Sequence, residues 1–179
     1  MPDFSWRKHD DIFPSLMRTI VGQQLSTKAA ATIWQRVADG VGDVTSPKRF
    51  LKLDDDTLRG FGLSRQKISY VRGLAEAVSS KQFDPELLWD MEDHEVIEHI
   101  TTLKGFGEWS AQMILIFTLH RPDVWPTGDL GIREAVRRYK KWEERPDVPM
   151  TEKFGKKFKG RRTAASLILW KTLDIKAVD

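Results

Sequence analysis

The chain has 179 residues, 40% of them hydrophobic and 31% charged, with 29 basic against 26 acidic side chains and a net charge of +3. It contains no cysteine, which excludes disulfides, an iron–sulfur cluster, a cysteine-held zinc site and a thiol nucleophile. No apolar run is long enough to cross a bilayer and no secretory leader is recognisable, so we expect one intracellular globular domain over residues 1–179.

Apolar residues recur at helical spacing along most of the chain. In chain order this spacing, with its capping residues, predicts helices over about 12–21, 27–37, 47–53, 64–80, 94–100, 108–119, 129–136 and 163–173. No segment alternates as a β-strand does. We therefore predict an all-α fold, a compact bundle of about eight to ten short helices in two lobes around a cleft.

Basic side chains concentrate near the end of the chain. Residues 151–162 hold six lysines and arginines against one acid, Glu152. Such a cluster favours a polyanionic partner, but a solvated charged helix explains it equally well.

Two glycines interrupt the helical pattern at 103–111, which is Leu-Lys-Gly-Phe-Gly-Glu-Trp-Ser-Ala. Gly105 and Gly107 permit backbone conformations that other residues avoid, and a new helix begins directly after them. The first amides of that helix lack intrahelical acceptors, so a phosphate could bind there. An ordinary helix–turn–helix corner is the alternative. A similar run, Leu-Arg-Gly-Phe-Gly, stands at 58–62.

A second signal follows at 126–130, Pro-Thr-Gly-Asp-Leu, after the longest structured loop. Asp129 stands where a helix begins. Taken alone it is most simply a helix N-cap. A carboxylate held at a helix start behind a Pro/Gly-rich loop is also a candidate catalytic group.

Together these signals resemble the helix-hairpin-helix (HhH-GPD) DNA glycosylase superfamily. Further segments are similar to its 3-methyladenine DNA glycosylase II branch: Phe-Pro-Ser-Leu at 13–16, Ile-Val-Gly-Gln-Gln-Leu-Ser at 20–26, Gly-Leu-Ser with Lys67 at 62–67, and Arg-Thr-Ala-Ala at 162–165 with Trp170. The resemblance implies a helix-hairpin-helix over about 94–119 that clamps a DNA phosphate. It also implies that the loop at 120–129 presents its aspartate to a flipped nucleotide.

The resemblance implies a role for each matching position. Asp129 is the expected catalytic carboxylate, and Gln24 and Leu25 are the expected wedge into the duplex. The expected base pocket comprises Trp109, Trp170, Met113 and Trp125, and the expected phosphate-binding positions are Gly105, Gly107, Ser110, Lys104 and Arg162. A monovalent cation at the carbonyls of Leu103 and Gly105 is also implied. No other metal and no cofactor are expected.

Trp109 stands where bifunctional relatives have a lysine nucleophile, which implies a monofunctional enzyme. We expect a base excision repair glycosylase that flips alkylated purines of the 3-methyladenine and 7-methylguanine type out of double-stranded DNA. It would act as a monomer, with no membrane or small-molecule partner, in the cytoplasm at the nucleoid or in the nucleus. Three alternatives remain: a glycosylase for hypoxanthine, uracil or a mismatched base, a non-catalytic damage-binding module, and a helical interaction domain.

Overall fold

The structure, a computed structural model, describes residues 11–174. Within that range it has ten α-helices, two short 3₁₀ helices and no β-strand. The α-helices are α1 (Ile12–Gly22), α2 (Thr27–Val41), α3 (Pro47–Lys52), α4 (Asp55–Gly60), α5 (Arg65–Ser79), α6 (Asp93–Thr101), α7 (Glu108–Phe117), α8 (Leu130–Lys140), α9 (Val148–Gly155) and α10 (Arg162–Asp174). The 3₁₀ helices span Pro85–Trp89 and Lys156–Phe158. The predicted all-α fold is confirmed.

The chain divides into two compact units between Ile114 and Leu115. In the first unit, α1 packs against α2 and α5, and α5 packs against α3 and α4. The buried stripe of α1 is Ile12, Phe13, Leu16, Met17, Ile20 and Val21, and that of α5 is Ile68, Val71, Leu74 and Ala75. Burying these stripes removes apolar surface from water and supplies most of the unit's stability.

The second unit is built on α8 packed against α10, with α9 alongside α8. Its core cluster contains Trp125, Ile132, Ala135, Val136 and Leu169. The partly buried hydrophobic side chains packed against that cluster are Trp142, Phe154, Phe158, Ala165, Trp170 and Leu173.

Two α-helices were missed by the sequence pattern, α4 and α9. Both are short, and each follows an N-cap aspartate whose carboxylate accepts a backbone N–H: Asp54 from Thr57 and Asp147 from Met150. Helices of six and eight residues contain too few turns for hydrophobic periodicity alone to reveal them. The six-residue α3 was predicted with the help of its capping residues, and the caps of α4 and α9 were not recognised. No helix in residues 11–174 is long and apolar enough to cross a membrane.

Candidate functional site

The glycine turn between α6 and α7 belongs to the first unit and depends on Gly105. Gly105 has φ +95°, and a Cβ built on it would lie 2.4 Å from the ring of Tyr70 on α5. Neither the backbone angle nor the space admits another residue. Leu103 and Phe106 are buried on either side, and the Phe106 N–H donates to the Leu103 carbonyl at 3.1 Å. The turn is therefore tightly packed on its inner side.

Gly107 differs from Gly105 in both respects. A Cβ at Gly107 would meet no atom within 4 Å, and its φ lies outside the positive region. Its carbonyl accepts the first helical hydrogen bond of α7, from the Ala111 N–H at 3.1 Å. The amides of the first turn of α7 have no acceptor inside the helix, and the helix dipole favours an anion there. The space above Gly107 lets such an anion approach the backbone.

The carbonyls of the turn, where the resemblance implied a monovalent cation, already accept hydrogen bonds. The amide Nε2 of Gln23 donates to the Gly105 oxygen at 2.7 Å, and the Leu103 oxygen accepts from Phe106. Each carbonyl oxygen has a second lone pair, so the cation site at Gly105 and Leu103 stays a prediction. In residues 11–174 there is no cluster of three or more metal-ligating side chains.

The segment 22–25, between α1 and α2, forms a type II β-turn. The Leu25 N–H donates to the Gly22 carbonyl at 3.2 Å, and Gln24 holds a positive φ of +58°, uncommon for a residue with a side chain. Gln24 and Leu25 are exposed at the tip, Leu25 to 37%. Strain of this kind is tolerated where the surrounding structure holds the backbone.

Lys67 of α5 supplies part of that support. Its ammonium donates to the Val21 carbonyl at the end of α1, at 2.7 Å, and burial lowers the pKa of this lysine. A cation at a helix C-terminus also complements the helix dipole. Gln23 holds the other side of the turn through Gly105. Gln24 and Leu25 thus project from a turn that is anchored on both sides.

On α7, the predicted side chains differ in accessibility. Trp109 is 43% exposed and Met113 is half-buried, so both can still meet a ligand. Ser110 is only 5% exposed, which leaves its side chain little access to a phosphate. Lys104, in the turn, is exposed. The roles assigned to these residues stay predictions.

The loop leading to Asp129 lies in the second unit and is held by the start of α10. Thr163 donates its N–H to the Pro122 carbonyl at 3.0 Å and its hydroxyl to the Arg121 carbonyl at 2.6 Å. The same hydroxyl accepts the Val124 N–H at 3.0 Å. Because the loop is fixed at several points, the residues that follow it have little conformational freedom.

Asp129 is the N-cap of α8. Its Oδ1 accepts the Ile132 N–H at 2.7 Å and the indole Nε1–H of Trp170 at 2.8 Å. Trp170 stacks on Phe117, with ring centroids 5.9 Å apart. A Cβ at Gly131 would lie 2.9 Å from that Oδ1 and 3.1 Å from the Trp170 indole. The carboxylate is therefore oriented by two donors in a space that only glycine at 131 leaves open.

Of the predicted site residues in the second unit, Trp125 lies in the core instead, whereas Arg162 has a partner inside the protein and its phosphate role stays a prediction. Trp125, expected in the base pocket, is 7% exposed; its indole N–H donates to the Thr151 carbonyl at 2.9 Å, and its ring packs on Gly155. It belongs to the core of the second unit. The guanidinium of Arg162, expected at a phosphate, donates two hydrogen bonds to Asp123, at 2.7 and 2.8 Å, and its backbone N–H donates a third at 3.1 Å. The guanidinium bonds lower the pKa of the Asp123 carboxyl.

Part of the basic cluster at 151–162 also has an internal explanation. The ammonium of Lys157 lies 3.8 Å from the centre of the Phe154 ring and about 5 Å from those of Tyr139 and Phe158. These cation–π contacts hold the lysine over an aromatic surface. Lys157 therefore has partners inside the protein, and Lys153, Lys156, Lys159 and Arg161 are exposed.

Three residues of this geometry were missed from sequence: Tyr70, Gly131 and Phe117. Gln23 belongs to the segment 20–26 on which the resemblance rests, but its bond to Gly105 was not predicted. Gly131 directly follows the Asp129-Leu130 pair, and a glycine in the first turn of a helix is a weak signal that something needs the space. The contacts of Gln23 and Tyr70 with Gly105 carry no local signal. Gly105 is 82 residues from Gln23 and 35 from Tyr70.

Comparisons with known proteins agree with one another. The family model described as HhH-GPD superfamily base excision DNA repair protein matches residues 17–160. The chain is 33% identical over 174 residues to DNA-3-methyladenine glycosylase 1 of Schizosaccharomyces pombe, covering 96% of this chain and 76% of that protein. A structure of S. pombe 3-methyladenine DNA glycosylase with abasic DNA matches with a TM-score of 0.85 and 31% identity, covering 95% of this chain and 86% of that one. A DNA-3-methyladenine glycosidase from Bacillus halodurans matches with a TM-score of 0.79 and 37% identity, covering 92% and 76%.

Proposed function

The chain belongs to the HhH-GPD superfamily of base excision DNA repair proteins, and on this basis we propose that it is a monofunctional DNA glycosylase that releases alkylated purines from double-stranded DNA. The names of its relatives, DNA-3-methyladenine glycosylases, support the alkylated-base substrate. The observation that carries the proposal is the orientation of Asp129 by Ile132 and Trp170. Such an enzyme works where DNA is, at a nucleoid or in a nucleus.

The proposed reaction is hydrolysis of the bond between a purine nitrogen and C1′ of the sugar. As that bond breaks, its electron pair leaves with the base and positive charge develops on the sugar. The Asp129 carboxylate stabilises that charge. It also orients a water molecule whose oxygen bonds to C1′, and it accepts the proton that the water loses. The products are a free base and an abasic site.

The target bond is shielded inside a duplex, so the nucleotide must first leave the base stack. We assign the insertion into the vacated space to Gln24 and Leu25, because they are exposed on an anchored turn. We assign the grip on the strand to the amides that begin α7, reached over the open face of Gly107. Contacts of this kind are made to the DNA backbone, so binding is expected to weaken with salt.

We infer the preference for alkylated purines from the exposed indole of Trp109. A purine methylated at N3 or N7 carries a positive charge and leaves as a neutral base, so it needs little acid catalysis. An exposed indole face attracts such a cation by roughly 0.5–2 kcal/mol. Uracil and hypoxanthine are neutral and would gain no such attraction. Capping of α8 explains the bond from Ile132 to Asp129, but it does not require the second donor, Trp170. This second donor favours catalysis over simple damage binding.

The deciding experiment offers the protein three duplexes, containing 7-methylguanine, hypoxanthine or uracil, and identifies the bases released. We expect the unchanged protein to release 7-methylguanine faster than hypoxanthine or uracil. The Asp129→Asn variant should release 7-methylguanine much more slowly than the unchanged protein. Release of uracil or hypoxanthine alone would show that the substrate is one of these neutral bases and not an alkylated purine. Binding of the duplexes without release of any base would leave only a damage-binding module.

Borohydride trapping tests the monofunctional mechanism separately. A lyase that attacks C1′ with an amine forms a Schiff base, which borohydride reduces to a stable protein–DNA adduct. Because Trp109 offers no amine, we expect no adduct with a substrate that the protein cleaves. A trapped adduct would contradict the hydrolytic mechanism while leaving glycosylase activity intact.

A further inference from the structure

A groove of about 660 Å³ lies in the first unit, on the face formed by α4, α5 and the glycine turn. Its residues on α5 recur at the spacing of one helix face, from Arg65 through Ser69 to Arg72, Gly73 and Glu76. Lys104 closes it at the glycine turn. None of the side chains assigned to the glycosylase reaction, except Lys104, lines this groove.

The charge of the groove is mainly positive. Arg59, Arg65, Arg72 and Lys104 line it, against two carboxylates. One carboxylate, Asp55, holds Arg72 in place: the arginine donates to Asp55 at 2.7 Å and to the Leu53 carbonyl at 2.6 Å. Arg72 is therefore a fixed guanidinium in the wall of the groove.

The remaining cations are more accessible. Arg65 and Lys104 are exposed, and Arg59 reaches its neighbour Asp56 only at 3.9 Å, with that acid almost fully exposed. An exposed pair at that distance holds a side chain weakly. These three side chains can reorient towards an incoming anion.

Gly73 is an independent observation. It lies in the middle of α5, where glycine weakens a helix relative to alanine. It is exposed, and a Cβ there would meet no atom within 4 Å. Nothing in the described fold therefore requires glycine at this position. A missing side chain in the groove does have one consequence, which is that a ligand can approach the helix backbone closely.

Lys104 connects the groove to the proposed phosphate grip. It is the residue immediately before Gly105, so the groove begins where the glycine turn begins. A DNA strand held at the amides of α7 has further phosphates at regular spacing on either side. The cations of the groove suit phosphodiester oxygens, and guanidinium groups bind them with two parallel hydrogen bonds.

We propose that the groove between α4, α5 and the glycine turn is a second DNA-backbone site, in which Arg59, Arg65 and Lys104 bind phosphates beyond the one held by the hairpin, beside the guanidinium of Arg72 that Asp55 holds. The proposal rests on the proposed function, because it extends the same DNA contact. This second site increases the affinity for DNA and extends the length of duplex that the protein contacts. It takes no part in breaking the glycosidic bond.

Salt dependence tests the proposal, because each phosphate neutralised adds about 0.9 to the slope of log K against log salt. The probe is a labelled duplex with a tetrahydrofuran abasic-site analogue, which cannot be cleaved. Binding is titrated at several potassium chloride concentrations with the intact protein and with the double variant Arg59→Ala/Arg65→Ala. We expect the double variant to lower the magnitude of the slope by about 1 to 2.

The matched control is Arg36→Ala/Arg49→Ala, which removes the same charge from exposed positions on α2 and α3 that do not line the groove. Its slope should equal that of the unchanged protein. Equal losses in both double variants would mean that only net charge matters, and would overturn the proposal. An unchanged slope in the groove variant, with normal binding by the unchanged protein, would overturn it and leave the proposed function standing.

Gly73→Ala gives a second test that does not depend on removing charge. Alanine should stabilise α5 and raise the melting temperature, because the site has room and helix propensity favours it. If DNA approaches the groove floor, the same variant should bind the duplex more weakly, and Gly73→Leu more weakly still. A higher melting temperature with unchanged DNA affinity in both variants would contradict the proposal. If the unchanged protein binds no DNA, the proposed function and this site fail together.

Discussion

The glycine turn at 105–107 and the helix start at 129–131 both place glycine beside a functional group, but the space around these glycines differs. A Cβ at Gly105 or Gly131 would collide with a side chain, the Tyr70 ring in one case and the Asp129 carboxylate in the other. A Cβ at Gly107 would meet nothing within 4 Å. Packed glycines shape the protein, whereas an open glycine leaves room for something outside it.

The related run at 58–62 sharpens this difference. There the second glycine is the constrained one: Gly62 has φ +105°, and its Cβ would lie 3.3 Å from Ile33, while Gly60 is open. At 103–107 the order is reversed, with Gly105 constrained and Gly107 open. The two similar segments, 58–62 and 103–107, thus adopt different backbone conformations. The packing around each segment determines which of its glycines is accessible to a ligand.

The largest effect is expected in the helix start at 129–131, from the substitution Asp129→Asn. Asparagine keeps an Oδ1 that can accept from Ile132 and Trp170, so α8 keeps its cap. It lacks the charge that stabilises the transition state, and we expect base release to fall by about 100- to 10,000-fold. Single-turnover release of 7-methylguanine measures this loss. Binding to an abasic-analogue duplex serves as the control and should not weaken.

The next effect separates the packed glycine of the turn from the open one. An alanine at position 105 would have to adopt a positive φ, and its Cβ would overlap the Tyr70 ring. We therefore expect Gly105→Ala to lower the free energy of unfolding by about 2–5 kcal/mol. Gly107→Ala should leave the melting temperature almost unchanged. It should weaken DNA binding by about 10- to 100-fold, the loss of roughly one hydrogen bond to a charged group. Full-strength binding by a stably folded Gly107→Ala protein would mean that no phosphate approaches the turn there.

A smaller effect is expected from Gly131→Ala, because the new methyl group moves Asp129 or Trp170 without removing either. Contacts of 2.9 and 3.1 Å are relieved by shifts of a few tenths of an ångström, less than the 1 Å displacement that lowers a rate by about 100-fold. We expect base release to slow by up to about 10-fold with DNA affinity intact. Gly128→Ala is the matched control, since a Cβ at 128 meets no atom within 4 Å. Equal rates for the two variants would show that the packing at 131 has no bearing on the carboxylate.

The smallest effect concerns the helix that presents Asp129. Hydrogen bonds from Arg137 and Arg138 lower the pKa of Glu134 on α8 from 4.5 to about 2. A carboxyl whose pKa is lower in the folded state stabilises the fold above pH 4.5, and this contribution is lost as the pH falls towards 2. Its side chain is 19% exposed and its partners lie at the surface, so we expect at most about 1 kcal/mol. Urea unfolding should show Glu134→Gln less stable than the unchanged protein at neutral pH and equal to it near pH 2.

Much of the fold was predictable because the long helices have strong patterns. The limits of α1 and α5 agree with prediction within a residue or so, since each buries a periodic stripe next to a recognisable boundary. The α7 helix ends at Phe117 rather than at the predicted Leu119. The short α4 and α9 were missed, because they contain too few turns for a period to appear and their aspartate caps were not recognised.

The candidate site was predictable at its two most local features. Asp129 is an N-cap, as expected for an aspartate at a helix start, and the glycine turn precedes α7 as expected. The aromatic residues were not separable from sequence. Trp109, in the first turn of α7, is exposed, whereas Trp125, in the loop before α8, is buried. Burial depends on elements that pack from elsewhere in the chain.

Composition, helical periodicity and a handful of capping and glycine positions determined by themselves that this is an all-α protein with a glycine turn and a helix-capping aspartate. These features arise from backbone geometry and from neighbours three or four residues away, which the order of residues records directly. The tertiary structure alone decided which glycine is open, that Gln23 donates to Gly105, and that Trp170 orients Asp129. Those contacts join residues about 40 to 80 positions apart, and a hydrogen bond or a steric limit at such separation exists only once packing has brought the partners together.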